Sequence, residues 1–186
     1  MIRSRFLMLA SALSLVVATT TLAAPAKSVA PKGAAVSDGA PFWTGTPDAT
    51  GYLARQRARI VRAKAAIATL KAVKGPRTIA NTLVPYDEAM RQLDMVANQS
   101  GLIAEVSPDS ATREAGDQMT QESSAYLTEL SLDRAVYDAL AALDVSKADA
   151  DTRYYVTRTL RDFRLAGVDK DAATRAQVKD LSDAIV

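Results

Sequence analysis

The chain contains no histidine and no cysteine, and carboxylates are the side chains it offers in close pairs that could take part in acid–base chemistry. Zinc sites in proteins normally use His or Cys ligands, and general bases and activated nucleophiles most often depend on His. Close pairs of carboxylates remain, such as Asp87 with Glu88 and Asp149 with Asp151. Helical residues one or two positions apart point in different directions. We therefore interpret these acids as helix-start residues and predict no catalytic, cofactor-binding or metal-ligating residue in this chain.

A run of basic residues occupies the first predicted helix and the loop after it. Residues 49–86 include eight Lys or Arg and no Asp or Glu, whereas residues 87–186 include eleven basic and nineteen acidic residues. One interpretation is a site for nucleic acid or anionic lipid. We favour a solvated face that pairs with the acidic second part of the chain, because the basic residues point to more than one side of the helix. They are Arg55, Arg57, Arg59, Arg62, Lys64, Lys71, Lys74 and Arg77.

The N-terminal residues have the pattern of an export signal. Two arginines precede a long apolar stretch within residues 1–23, and small residues suited to cleavage follow, so that the signal would end after Ala23 or Ala26. The alternative for this stretch is an uncleaved membrane anchor. We predict a signal peptide over residues 1–23 and an exported, periplasmic protein without a stable membrane anchor. Export also removes most nucleic-acid partners.

A linker is predicted between the signal peptide and the folded part. Residues 24–47 are rich in Pro, Gly, Ala and Ser, so they bury too little apolar surface to offset the cost of ordering, and we predict disorder. Phe42 and Trp43 are exceptions, because large aromatic side chains in a linker often dock onto a neighbouring surface. We expect Trp43 to pin the linker to the helical body; its alternative role is a contact to a ligand.

The remaining residues, 48–186, are predicted to form one helical domain. Apolar residues recur there at the spacing of an α-helix, and no strand-like alternation of useful length occurs. The pattern indicates the all-α class, as an antiparallel helical bundle with short loops. Since the chain has no Cys, such a domain is held together by packing alone.

Capping and breaking signals give the expected ends of the first three helices. Asp48 is expected to cap a helix that runs to about Val73. Thr82 is expected to cap the second helix, and Ser100-Gly101 to break it. Ser107 is expected to cap a third helix.

The second part of the domain has similar signals. The third helix is predicted to end near Ser131, and the pattern leaves open whether residues 132–143 continue it or form a separate helix. A further helix from Asp149 closes at Gly167, and Asp169 is expected to cap the last one. In that last helix the apolar positions stay in register to the end of the chain, without a capping signal, at Val178, Leu181 and Ile185.

Four segments of the domain follow one another in a recognisable order. They are Asn81–Ala89, with the sequence Asn-Thr-Leu-Val-Pro-Tyr-Asp-Glu-Ala, then Val106–Ala115, Leu130–Tyr137 and Arg161–Val168. This ordered set resembles the early helical region of the thimet oligopeptidase family of zinc metallopeptidases. Relatives in that family include neurolysin, oligopeptidase A and the dipeptidyl carboxypeptidases. The resemblance covers about residues 78–186, and none of its segments carries chemistry.

The resemblance implies the N-terminal helical region of an exported zinc-dependent oligopeptidase. In that family two helical halves enclose a channel in which short peptides are hydrolysed, and this region would form part of one channel wall. The zinc ligands lie on a His-Glu-x-x-His helix and a further Glu, which have no counterpart here. Zinc is therefore implied for the full-length enzyme, and the chain alone is expected to be an inactive fragment of a larger two-lobed fold.

The implied partners are the missing catalytic half of the same enzyme and the short peptides that the whole enzyme would cleave. An exposed apolar face is expected where that half would pack. The alternative function is a self-contained periplasmic helical bundle that binds an anionic partner through its basic first helix.

Overall fold

The computed structural model describes residues 48–185, and the segments found in that range are helical, with no strand. The predicted all-α class is confirmed. The helices are α1 (Ala49–Ala72), α2 (Val84–Val106), α3 (Ser110–Ser131), α4 (Arg134–Ala141), α5 (Ala150–Ala166) and α6 (Ala172–Asp183), and a π-helical turn (Ile79–Leu83) precedes α2. The predicted signal peptide, the linker and Trp43 lie outside the described residues. Within residues 48–185, no helix combines the length and the apolar character needed to cross a bilayer.

The first three helices form an up-down-up bundle. The hydroxyl groups of Tyr52, near the start of α1, and Ser100, near the end of α2, are 3.0 Å apart, so these two helices are antiparallel. Lys71, near the end of α1, lies 2.7 Å from a carboxylate oxygen of Asp133, just beyond α3. Helices α1 and α3 therefore run in the same direction, with α2 reversed between them.

Helices α2 and α3 come into backbone contact at Gly116. A Cβ atom at this position would lie 2.8 Å from the carbonyl oxygen of Ser100 and 2.9 Å from the backbone nitrogen of Ala104. Both distances are too short for a real Cβ contact, so only glycine permits this approach. The apolar core of the domain includes the fully buried side chains of Leu70, Leu93, Val96, Met119, Val136 and Leu140.

Two predicted helices begin as expected. The Asp48 carboxylate accepts a hydrogen bond from the Gly51 N–H at 2.7 Å and caps α1. The Asp149 carboxylate accepts one from the Thr152 N–H at 2.8 Å and caps α5. Gly167 closes α5 with a φ of 99°, a left-handed conformation that glycine adopts without strain.

The predicted start of the second helix is wrong by four residues. Thr78, not Thr82, begins it, through a reciprocal capping box. The Thr78 hydroxyl accepts a hydrogen bond from the Asn81 N–H at 3.2 Å, and the Asn81 side chain accepts one from the Thr78 N–H at 2.8 Å. Thr82 is fully buried inside the π-helical turn.

The predicted break at Ser100-Gly101 is also wrong, because α2 continues to Val106. Ser100 is fully buried and bonded to Tyr52, so tertiary contacts hold the helix there. A single glycine inside a helix costs only about 1 kcal/mol relative to alanine, which such packing can offset.

Two later caps are each displaced by two residues. Asp109 caps α3, while Ser107, the predicted cap, ends α2. Asp171 caps α6. Asp169, the predicted cap, belongs to the preceding turn, which is closed by a hydrogen bond from the Lys170 N–H to the Gly167 carbonyl.

The ends of two other predicted segments are now defined. Residues 132–143 do not continue α3: Asp133 caps a separate helix, α4. Helix α6 ends at Asp183, so the predicted helical register does not include Ile185.

The second part of the domain packs through aromatic residues. The Phe163 ring of α5 lies between Tyr86 of α2 and Tyr137 of α4, with ring centroids 6.0 and 6.1 Å apart. Helix α6 rests against α3 and contains no buried residue.

Candidate functional site

An open groove of about 630 Å³ lies between α2, α3 and α5. Its apolar surface comes from Tyr86, Met90, Leu127, Leu130 and Phe163. Its polar surface comes from Asp94, Thr128, Ser131, Tyr155, Arg158, Thr159 and Asp162. Binding sites for small molecules and peptides likewise combine apolar surface with polar groups that fix the orientation of the ligand.

A second hollow of about 490 Å³ continues the groove along α2. The two hollows share Met90, Asp94 and Tyr155. The second is also lined by Asp87, Arg91, Met95, Asn98 and Gln99. We use "the groove" for both hollows together, since the shared residues make them one depression.

Helical spacing brings polar residues of the groove onto common helix faces. Asp87 and Asp94 are seven residues apart on α2, and Tyr155 and Asp162 are seven residues apart on α5. Seven residues are close to two helical turns, so each pair lies on one face of its helix. The Tyr155 hydroxyl donates a hydrogen bond to a carboxylate oxygen of Asp87 at 3.3 Å, which joins the two faces.

The phenol groups of the groove lie in an environment that disfavours their ionisation. Burial raises the pKa of Tyr86 well above its ordinary value, and negative charge on neighbouring groups adds to the shift. Burial also raises the pKa of Tyr155 to about 12, and the Asp87 and Asp94 carboxylates add to it. Both phenols are therefore neutral at physiological pH, and both sense the same carboxylates.

The arginines of the groove are occupied by other carboxylates. Arg91 lies 2.6 Å from Glu88. Arg158 lies 3.8 Å from Asp162. Among residues 48–185, no lysine or arginine forms an ion pair with Asp87 or Asp94. The stretch of groove between these two carboxylates therefore carries negative charge that the described residues do not offset.

The two carboxylate pairs noted in the sequence do not converge. Asp87 points to Tyr155, whereas Glu88 bonds to Arg91 and also accepts from the side chain of Gln92 at 2.9 Å. Asp149 is occupied as the cap of α5, and the hydrogen bonds from Thr152 lower its pKa. Within the described range, no group of three or more His, Cys, Asp or Glu is placed to hold a metal ion.

Basic residues of α1 pair with the acidic second part of the chain, as we favoured. Arg57 lies 2.6 Å from Glu122 on α3, and Lys71 pairs with Asp133. The Arg57 guanidinium also lowers the pKa of the Glu122 carboxyl. Arg59 is only 4% exposed and faces α2. The interpretation as a paired, solvated face is thus confirmed for Arg57 and Lys71.

A row of polar side chains, here called the polar ladder, is buried between α1 and α2. It consists of Tyr52 with Ser100 (3.0 Å), Gln56 with Gln99 (2.8 Å) and Arg59 with Gln92 (3.1 Å). These groups bond to one another across the interface, so the ladder fixes the alignment of the two helices.

The groove was not predicted from the sequence. Tyr86, Met90 and Leu93 recur at helical spacing on α2, and of the three only Leu93 is fully enclosed. The overlooked signal is the spacing of Asp87 with Asp94, because acids that recur on one side of a helix indicate a polar surface next to its apolar side.

No protein-family profile matches this chain, and no curated protein matches it.

Proposed function

We propose that residues 48–185 form a non-catalytic wall of the substrate channel in an exported zinc-dependent oligopeptidase, and that the chain alone is inactive. The observation that carries the proposal is the groove between α2, α3 and α5. Its apolar floor suits the side chains of a short peptide, and its hydroxyl and carboxylate groups suit the N–H groups of a peptide backbone.

The metal-ligating side chains that residues 48–185 contain decide which part of the proposed enzyme would hold the zinc. Residues 48–185 contain no His or Cys and no cluster of three carboxylates, so they do not fit a zinc site. The metal and the residues that transfer protons would come from the catalytic half of the same enzyme. The four segments that resemble the thimet oligopeptidase family in order support this assignment.

Exposed apolar side chains also support a larger assembly. Leu165 on α5 is 71% exposed and Leu181 on α6 is 66% exposed. Helix α6, with no buried residue, has an apolar side that further protein could cover. We propose that the catalytic half packs there.

The competing function, an anion-binding bundle, is less well supported. Arg57 and Lys71, two cations of the basic helix, already pair with carboxylates, Glu122 on α3 and Asp133 at the start of α4. The export part of our proposal rests on the sequence pattern of residues 1–23.

The coding DNA downstream of codon 186 provides the first test. We expect an in-frame His-Glu-x-x-His within several hundred codons. A chain that includes it should hydrolyse internally quenched peptides in the presence of zinc, whereas residues 1–186 alone should not. A stop codon with no such motif would refute the proposal, and so would hydrolysis by the 186-residue chain alone.

Groove variants of the zinc-loaded full-length chain provide the second test. Met90→Asp places a charge on the apolar floor and should lower kcat/KM at least about tenfold, mainly through KM. Val61→Asp, on an exposed position of α1, is the matched control and should leave kcat/KM unchanged. Equal effects of the two substitutions would show that the groove does not contact substrate.

A further inference from the structure

We infer that the groove selects peptides that carry basic side chains, with a guanidinium or ammonium group next to Asp87 or Asp94, along the part of the groove that Tyr155 also lines. This inference deepens the proposed function and rests on it where it calls the peptide a substrate. The preference itself is a property of residues 48–185 and requires neither zinc nor hydrolysis.

The first observation is the charge of the groove. Asp94 lines both hollows, and no ion pair within the described range offsets it or Asp87. The other charged groups that face the groove are paired, Arg91 with Glu88 and Arg158 with Asp162. A cation of a ligand could therefore pair with either carboxylate without breaking an existing ion pair.

The second observation is the aromatic surface beside these carboxylates. Tyr155 lines both hollows, and its hydroxyl is held by Asp87. Tyr86 and Phe163 also line the groove but are only 6% and 4% exposed, so Tyr155 offers the aromatic ring that a ligand can reach. Cations are attracted to aromatic rings within about 6 Å, and arginine in particular stacks on them. Carboxylates together with aromatic rings favour a cationic side chain over a neutral one of the same size.

The third observation is the length of the negative stretch. Seven residues of helix correspond to a rise of about 10.5 Å between the Asp87 and Asp94 positions. An extended peptide rises about 3.3 Å per residue, so some three residues of peptide match this rise. The long stems of Lys and Arg can lie along the apolar floor beside Met90 while their charged ends reach the carboxylates. A peptide with two basic residues close in sequence can therefore engage both acids.

Direct binding to the full 186-residue chain tests this inference. The probe is a fluorescent hexapeptide with blocked ends and two arginines. Its control is the same peptide with citrulline, which has nearly the same shape but no charge. We expect the arginine peptide to bind about tenfold more tightly, with an advantage that shrinks as salt is added. Equal affinity of the two peptides, or no binding of either, would overturn the inference.

Two matched variants locate the effect. Asp94→Asn should remove most of the preference for arginine. Asp117→Asn makes the same change of charge at an exposed residue of α3 that does not line the groove, and it should retain the preference. If both variants lose it equally, the attraction comes from the overall charge of the chain and the inference fails.

The result can be separated from the fate of the proposed function. A preference for arginine that depends on Asp94, together with a downstream frame that lacks His-Glu-x-x-His, would refute the peptidase proposal and keep a groove for basic peptides. A zinc peptidase that shows no preference for arginine would refute the inference alone.

Discussion

The two sides of α2 use polar residues in opposite ways. On the side that faces α1, Gln92 and Ser100 are fully buried and bonded within the polar ladder. On the side that faces α5, Asp94 lies in an open groove without an ion-pair partner among the described residues. Both sets recur at helical spacing, so the spacing alone does not distinguish them. The two sides differ in that Gln92 and Ser100 already bond to residues of α1, whereas Asp94 has no ion-pair partner among the described residues.

The largest expected effect comes from the fully enclosed core of α2. Leu93→Ala should lower the free energy of unfolding by about 2–5 kcal/mol, because it removes buried methyl groups and leaves a cavity. Met90→Ala, at a half-buried position of the groove, should cost clearly less. Urea unfolding of both variants gives the comparison. Equal losses would mean that the groove is as closely packed as the core.

The next effect concerns the contact between α2 and α3. Gly116→Ala should destabilise the fold by about 1–3 kcal/mol, since its Cβ would collide with the backbone of Ser100 and Ala104. Gly101→Ala is the matched control, because a Cβ there meets nothing within 4 Å. Gly101→Ala should leave the free energy of unfolding unchanged or raise it by up to about 1 kcal/mol, because alanine has the higher helix propensity. The midpoint temperature of thermal unfolding should therefore fall for Gly116→Ala and stay the same or rise for Gly101→Ala. A lower midpoint for Gly101→Ala would contradict this explanation.

Two tyrosines make the comparison of the two sides direct. Tyr52→Phe leaves the buried Ser100 hydroxyl without its partner and should cost about 1–3 kcal/mol. Tyr155→Phe removes a hydrogen bond to Asp87 at the open groove and should change stability by no more than about 0.5 kcal/mol. Adding Ser100→Ala to Tyr52→Phe should recover part of the loss, which a double-mutant cycle measures. Strictly additive losses would argue against a coupled ladder.

The last expected effect is a loss of stability at alkaline pH. In the folded state the pKa of Tyr155 is raised from 10.0 to about 12, and that of Tyr86 is also raised. Between pH 10 and about 12 the folded chain keeps a proton that the unfolded chain has released, so stability falls as pH rises through this window. Below pH 10 both states keep the phenol proton, so the stability of the folded state does not yet fall. Urea unfolding on both sides of pH 10 checks this, and Tyr155→Phe should weaken the dependence.

Local signals predicted part of the fold, although the predicted caps Thr82, Ser107 and Asp169 were displaced by two to four residues. Asp48, Asp149 and Gly167 were assigned correctly because a cap depends on residues within one turn of it. The break predicted at Ser100-Gly101 failed because the bond from Ser100 to Tyr52 joins residues that are 48 positions apart. Propensity describes the isolated helix, and such a distant contact overrides it.

The candidate site was less predictable than the fold for the same reason. The absence of His and Cys is visible in the composition, and so is the capping role of Asp149. The groove, in contrast, exists only because Tyr155 on α5 lies next to Asp87 on α2, at a separation of 68 residues. The spacing of residues within one helix does not reveal which second helix will lie beside it.

The backbone contact at Gly116 also has a consequence for the shape of the groove. Gly116 lies in the first part of α3 and touches the last part of α2, whereas the groove is lined by Leu127 and Leu130 near the other end of α3. Helices α2 and α3 are therefore in backbone contact toward one end of α3, and the groove lies toward the other. A larger residue at position 116 would have to displace one helix from the other, so we expect a substitution there to alter the shape of the distant groove as well as the stability of the fold.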